Sequence, residues 1–230
     1  MIMLFFLTEI KTFLNPSLVL KFAQELEREG DTFRAITEYK RYAYLVPEKR
    51  DSIYFHIVRL YMQEKLYPNA LDVLMKINRR DTVWGNLAGY LLLKTGNHEE
   101  AGKYLHGKKR ALFFAYTGRY DSLRLIIPVE PPELKSKLYA AFLSAIVPGL
   151  GRMYAGRVGD GIFSLLAIFG TGMNAYYMYE KGNKPLFYFN AALAAGLYLG
   201  DIYGSWVAAK RENEKRKRKF IEKVEEEVLR

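Results

Sequence analysis

Between Leu138 and Ala209 the chain carries only seven charged residues: Arg152, Arg157, Asp160, Glu180, Lys181, Lys184 and Asp201. The flanks are different. Residues 1–137 hold 22 Lys and Arg with 16 Asp and Glu, and residues 210–230 hold nine and six. A 72-residue window this poor in charge, set between charge-rich ends, marks a change of solvent along one chain. Half of all residues are hydrophobic, which is ordinary for a soluble protein. The information therefore lies in the segregation and not in the mean.

The window divides into three apolar stretches. Gly161–Tyr179 and Leu186–Ala209 contain 19 and 24 residues, inside the roughly 17–25 that a membrane helix requires. Tyr176, Tyr177, Tyr179, Phe187, Tyr188 and Trp206 stand near their ends, where amphipathic rings sit at head-group level. Leu138–Tyr154 has 17 residues and contains Pro148, Gly149 and Gly151, so it either crosses or enters and returns. A break at membrane depth is tolerated only where protein or water covers it. The sequence predicts an α-helical transmembrane module of two to three helices over 138–209.

Within the third stretch Ala192, Gly196, Gly200, Gly204 and Ala208 recur every four residues. This small-xxx-small stripe suits close helix contact in lipid. The expected partner is the preceding helix, with a second copy of the chain as the alternative. Asp201 lies on the same stretch, eight residues before Ala209, or about 12 Å below the boundary. An ionisable group at that depth needs a partner. Arg152 or Arg157 is the candidate, with Asn174 and Asn190 as further intramembrane polar residues.

Before the window, residues 17–127 show apolar positions at helical spacing. Leu18, Phe22 and Leu26 precede the breaker Gly30-Asp31, and Phe33, Ile36 and Tyr39 follow it, the pattern of a helical hairpin. In EREGDTFRAITEYKRYAYLVP, Ala23, Gly30, Ala35, Tyr39 and Pro47 match the small, turn, aromatic and terminal proline positions of the tetratricopeptide repeat, which this segment resembles. A second copy places Ala70 and Leu74 at the positions of Ala35 and Tyr39, with Val58 where a small residue is usual. A third has Gly89, Gly96, Ala101 and Leu105, and a fourth, shortened, has Gly118 and Tyr120. The resemblance implies an all-α, helical-hairpin solenoid whose concave face binds a peptide or partner helix.

The membrane window carries a second resemblance. In SAIVPGLGRMYAGRVGDGIFSLL, the residues Pro148, Gly149, Gly151, Tyr154 and Gly156 resemble the signature of TM2-type membrane domains. Arg152 and Met153 replace that family's usual polar residues. This implies membrane insertion, in the manner of proline-glycine versions found in bacterial membrane proteins, and implies no reaction.

The remaining segments are an apolar start (1–16, either a degraded signal or an ordinary helix beginning), a Pro-rich linker (128–137) and a charged tail (210–230). The tail holds Lys215, Arg216, Lys217, Arg218 and Lys219, which suit anionic head groups. The run lacks the interleaved aromatics of a nucleic-acid site. Positive charge beside the last stretch places the tail in the cytoplasm. The expectation is that Leu138–Tyr154 crosses, so that the repeats face the periplasm of a multi-pass inner-membrane protein.

The chain lacks cysteine, and its three histidines, His56, His98 and His106, have no metal-ligand spacing. No phosphate loop, nucleophile elbow or dinucleotide fingerprint occurs. The sequence therefore predicts no enzyme, no cofactor and no metal. It predicts a membrane-anchored scaffold for protein-protein interaction at the cell envelope. The alternative is a small transport or channel-associated subunit acting through Asp201, Asn174 and the glycine face.

Overall fold

The computed structural model describes residues 15–229, and every regular element among them is helical. The apolar start Met1–Leu7 lies outside the described residues. The chain divides into two compact units, one ending at Pro128 and joined by the chain end from Glu227, the other spanning Val129–Glu226.

The first unit is built of consecutive helix pairs: α1 (Pro16–Arg28) with α2 (Thr32–Leu45), α3 (Arg50–Gln63) with α4 (Tyr67–Met75), α5 (Thr82–Lys94) with α6 (His98–Tyr104), and α7 (Arg110–Thr117) with α8 (Tyr120–Arg124). Each pair reverses through one device. A residue with positive φ follows the first helix, at Gly30 (83°), Lys65 (59°), Gly96 (88°) and Gly118 (73°). The next residue then donates its N–H five positions back, as Asp31 to Leu26, Leu66 to Tyr61, Asn97 to Leu92 and Arg119 to Phe114, all at 2.8–2.9 Å. This is the Schellman closure, which satisfies carbonyls that a helix end leaves open.

Counting from these turns exposes a common register. Seven residues before stand Ala23, Val58, Gly89 and Ala111; five after stand Ala35, Ala70, Ala101 and Leu123; nine after stand Tyr39, Leu74, Leu105 and Ile127. All twelve are buried. Small residues fall where paired helices touch: a Cβ on Gly89 would run into the Leu105 side chain. The shortened fourth pair keeps the register although its helices are brief. One core joins the successive pairs, from Ala23 and Leu26 through Ile57, Leu74 and Ile77 to Trp84 and Leu91. Asn15, Asp31 and Asp81 cap their helices by accepting from Ser17, Arg34 and Trp84 N–H groups, each worth about 1 kcal/mol.

The second unit contains α9 (Lys137–Ile146), α10 (Leu150–Tyr154), α11 (Val158–Glu180) and α12 (Lys184–Leu229). Helix α11, at 23 residues, is about 35 Å long and is long and apolar enough to cross a membrane; only 11% of its most apolar stretch is buried. It alone among the described helices meets that length-and-apolarity test, against the two or three spans expected. The third apolar stretch is not a separate helix. It is the front of the 46-residue α12, whose charged second half continues without a break.

Packing in this unit is inverted. From Leu138 to Ala209 every buried residue is Gly, Ala, Ser, Asn or Asp. Large apolar side chains face outward over the same range, among them Phe142, Phe163, Leu166, Phe169, Leu199 and Tyr203, each more than half exposed. A water-soluble fold buries these types first.

Candidate functional site

The two units carry one candidate site each. In the second, the break between α9 and α10 is the centre. Helix α9 ends at Ile146, Gly149 takes a φ of 85°, and α10 runs back along α9. The return is close. A Cβ on Gly151 would overlap the Ala140 carbonyl oxygen, and one on Gly149 would overlap that of Gly161. Tyr154 ends beside the start of α9, its ring edge-on to Tyr139 at 5.2 Å and its hydroxyl accepting from Ser136 N–H at 3.2 Å. Its carbonyl accepts from Lys135 Nζ.

Every backbone N–H at the tip is accounted for. Val147 donates to the Leu143 carbonyl, Pro148 has no N–H, and Leu150 donates to the Val147 carbonyl. Gly149 donates to Asp201 Oδ2 at 2.6 Å, and Gly151 donates to Ser144 Oγ at 3.1 Å. Ser144 in turn bonds Ser205 at 2.7 Å, and the Tyr198 hydroxyl donates to the Ala145 carbonyl at 2.6 Å. Buried backbone donors need such partners. Here Asp201 of helix α12 and Ser144 of α9 supply the side-chain acceptors.

Asp201 is buried, and its other oxygen accepts from Arg152 Nε at 2.7 Å. Arg157 pairs instead with Asp160, so the partner left open between Arg152 and Arg157 is Arg152. Gly204 makes room for the Arg152 guanidinium, which a Cβ would overlap. Asn174 and Asn190 bond each other at 3.3 Å. Asn190 lies eleven residues before Asp201, about 16 Å along the helix. The Asn174–Asn190 and Arg152–Asp201 contacts are therefore separate from each other.

The small-residue stripe is only partly used. Gly204 and Ala208 pack, but Ala192, Gly196 and Gly200 are exposed, and nothing lies within 4 Å of a Cβ built on Gly196 or Gly200. The close contact with the preceding helix expected along the whole stripe is absent there. In its place is a pocket of about 460 Å³ lined by Phe163, Ala167, Gly196 and Gly200, with Arg152 and Asp201 at one end. Of the five basic tail residues, Lys215, Lys217, Arg218 and Lys219 are exposed. Arg216, expected to face lipid, pairs with Glu212 and donates to the Glu133 carbonyl at 2.9 Å, which ties down the linker instead. Tyr154 and Gly156 serve the local return, Gly156 closing α10 with a φ of 92°.

In the first unit the first helices of the second and third pairs frame a pocket of about 540 Å³, lined by Ser52, Phe55, His56, Arg59, Met62 and Leu87. A polar chain borders it. Tyr39 Oη donates to Glu27 Oε2 at 2.6 Å, His56 Nε2 meets the same oxygen at 2.8 Å, and Arg59 Nη2 meets His56 Nδ1 at 2.9 Å. With Arg59 donating, His56 carries its hydrogen on Nε2 and passes it toward the carboxylate. Burial raises the Glu27 pKa, but the hydrogen bonds from Tyr39 and His56 and the charge of Arg59 outweigh it and hold the carboxyl below its usual range. Burial, and then the bond to Glu27, push the Tyr39 hydroxyl up. Sequence spacing could not reveal this network, because its four members come from three helices. The pocket combines apolar walls with one guanidinium, a lining suited to an apolar side chain next to an acceptor. His98 and His106 take no part, and no group of three metal-ligating side chains occurs among the described residues.

No family profile matches the chain. No curated protein matches it. Among solved structures it is similar to the crystal structure of YrrB, described as a TPR protein with an unusual peptide-binding site, at 12% identity over 90% of this chain and 97% of that one. The TM-score is 0.36, too low to establish a common fold, so the repeat architecture rests on the turn register described above.

Proposed function

We propose that this chain is a membrane-anchored helical-repeat scaffold. Residues 138–209 hold it in the bilayer, and the repeats present a groove to a partner protein or peptide. The observation that carries the anchor is the inverted burial of the second unit, with small and polar residues inside and Leu, Phe and Tyr outside. Between helices in lipid there is no hydrophobic drive, so small residues and hydrogen bonds make the contacts while apolar side chains face the chains of the lipid. Two spans are proposed, α11 and the front of α12 from Leu186 to Ala209, each longer than the ~30 Å hydrocarbon layer. The exposed lysines and arginine of the tail lie on anionic head groups. The setting proposed is the bacterial cytoplasmic membrane.

Function through partner binding is supported by the groove at Phe55, Arg59 and Met62. The test is photo-crosslinking of the full chain in its native membranes, with and without Phe55→Ser plus Arg59→Glu. Loss of specific crosslinked species in the variant, with membrane association retained, is the expected result. An unchanged set of crosslinked species refutes the groove as the binding surface.

A further inference from the structure

We infer that segment 138–154 is a re-entrant hairpin that enters the bilayer and returns to the same face, so that the chain entering it and the basic tail are on the same side of the membrane. This rests on the membrane reading above and replaces the expectation that the segment crosses.

Three observations carry it. The first is length. Helix α9 has ten residues, about 15 Å, which is half the hydrocarbon thickness. The second is depth. Its tip, through Gly149 N–H, is held by Asp201 at 2.6 Å, and Asp201 lies eight residues, about 12 Å, before the apolar end of its helix at Ala209. Two independent measures, along α9 and along α12, put the tip at the same level. The third is return. The chain before α9 and the end of α10 meet beside α12, between Trp206 and Asn213. Lys135 exchanges two backbone hydrogen bonds with the Asn213 side chain at 2.8 Å each, and its Nζ reaches the Tyr154 carbonyl. Lys137 and Lys210 both lie over the Trp206 ring, at 5.4 and 5.9 Å.

That stretch of α12 is a boundary with its own chemistry. Lys135 lies over the Tyr154 ring there, and Lys137 and Lys210 lie over the Trp206 ring, whereas the turn between the two spans, Glu180 to Pro185, carries one acid and two lysines. Basic residues beside spans mark the cytoplasmic leaflet. The satisfied tip explains how the break survives at depth. Asp201, Ser144 and Tyr198 take over the hydrogen bonds that water would otherwise make.

The chain has no cysteine, so single cysteines report unambiguously. The variants Glu130→Cys, Lys181→Cys and Lys217→Cys place one thiol before the hairpin, at the turn between spans and in the tail, all at exposed positions. The probe is a membrane-impermeant maleimide applied to sealed right-side-out and inside-out vesicles carrying the full chain. The expected result is labelling of positions 130 and 217 in inside-out vesicles only, with loss of both signals in right-side-out vesicles, and the reverse for position 181. Labelling of position 130 together with 181 overturns the re-entrant hairpin and leaves the anchor standing. Labelling of all three from one side overturns the anchor and the hairpin together.

Discussion

Asp201 accepts the backbone N–H of Gly149 at 2.6 Å across 52 residues of sequence, while its second oxygen holds Arg152 at 2.7 Å. One carboxylate thereby closes a backbone break and pairs a charge. Removing it leaves a buried donor and a guanidinium without partners, a loss of about 3–5 kcal/mol for a buried pair. Asp201→Ala is therefore expected to lower the unfolding midpoint of the full chain in detergent strongly. Asp201→Asn, which keeps an acceptor, loses less. Equal midpoints for wild type and Asp201→Ala would remove the clasp from the account.

The glycines of the second unit separate into two classes. Gly151→Ala places a methyl group on the Ala140 carbonyl, backbone against backbone, where overpacking costs about 1–3 kcal/mol or more. Gly196→Ala and Gly200→Ala meet nothing within 4 Å and replace a poor helix former, so their stability is unchanged or higher by up to about 1 kcal/mol. Thermal unfolding of the three variants side by side checks the contrast. Strong destabilisation by Gly200→Ala would show a contact, within the chain or with a second copy, that this structure lacks.

Lys65 occupies the turn position that glycine holds in the other three pairs, at a φ of 59°. A left-handed conformation costs a residue with a Cβ about 1–2 kcal/mol, partly offset by the entropy glycine gives up on folding. Lys65→Gly is expected to stabilise the repeats by roughly 0.5–1 kcal/mol. Gly30→Ala and Gly96→Ala, where a Cβ has open space, should destabilise by about 1 kcal/mol from the backbone alone. Chemical denaturation measures all three, and a destabilised Lys65→Gly would contradict the shared turn geometry.

The Glu27 carboxyl sits below its reference value of 4.5. A depressed folded-state pKa means that the carboxylate stabilises the fold above the unfolded value, and that this contribution is lost as pH falls through the folded one. Wild type should therefore exceed Glu27→Gln in stability at neutral pH, with the two converging in acid below that folded value. A difference between them that persists unchanged through acid would mean that the Tyr39–His56 network draws nothing from the charge.

Much of the fold can be read from local sequence. Gly30 and Gly96 mark hairpin turns because only glycine adopts that φ cheaply, and Ala35, Ala70 and Ala101 mark helix contacts by size. Lys65 shows the limit, since the same turn occurs without the residue that advertises it. In the second unit, Pro148 and Gly149 announce a break but not its direction. Direction is decided by Asp201, Tyr198 and Asn213, residues 50 to 80 positions away, whose contacts no local pattern encodes. Charge alone could not choose either, because Lys135 and Lys137 precede the segment while Arg152 and Arg157 follow it. The stripe from Ala192 to Ala208 misled for a related reason: four-residue spacing defines a face and leaves its occupant unnamed. The pocket chemistry at Glu27, Tyr39, His56 and Arg59 was illegible, because only tertiary stacking brings the three helices together.

The central claim is that residues 138–209 are embedded in a bilayer, with small residues inside and Leu, Phe and Tyr outside. Alkaline carbonate extraction of membranes carrying the full chain tests it most directly. The account predicts that the protein stays in the membrane pellet and is released by detergent. Release into the carbonate supernatant without detergent would contradict it, and would mean that the outward-facing Phe163, Leu166 and Phe169 are covered by protein and not by lipid.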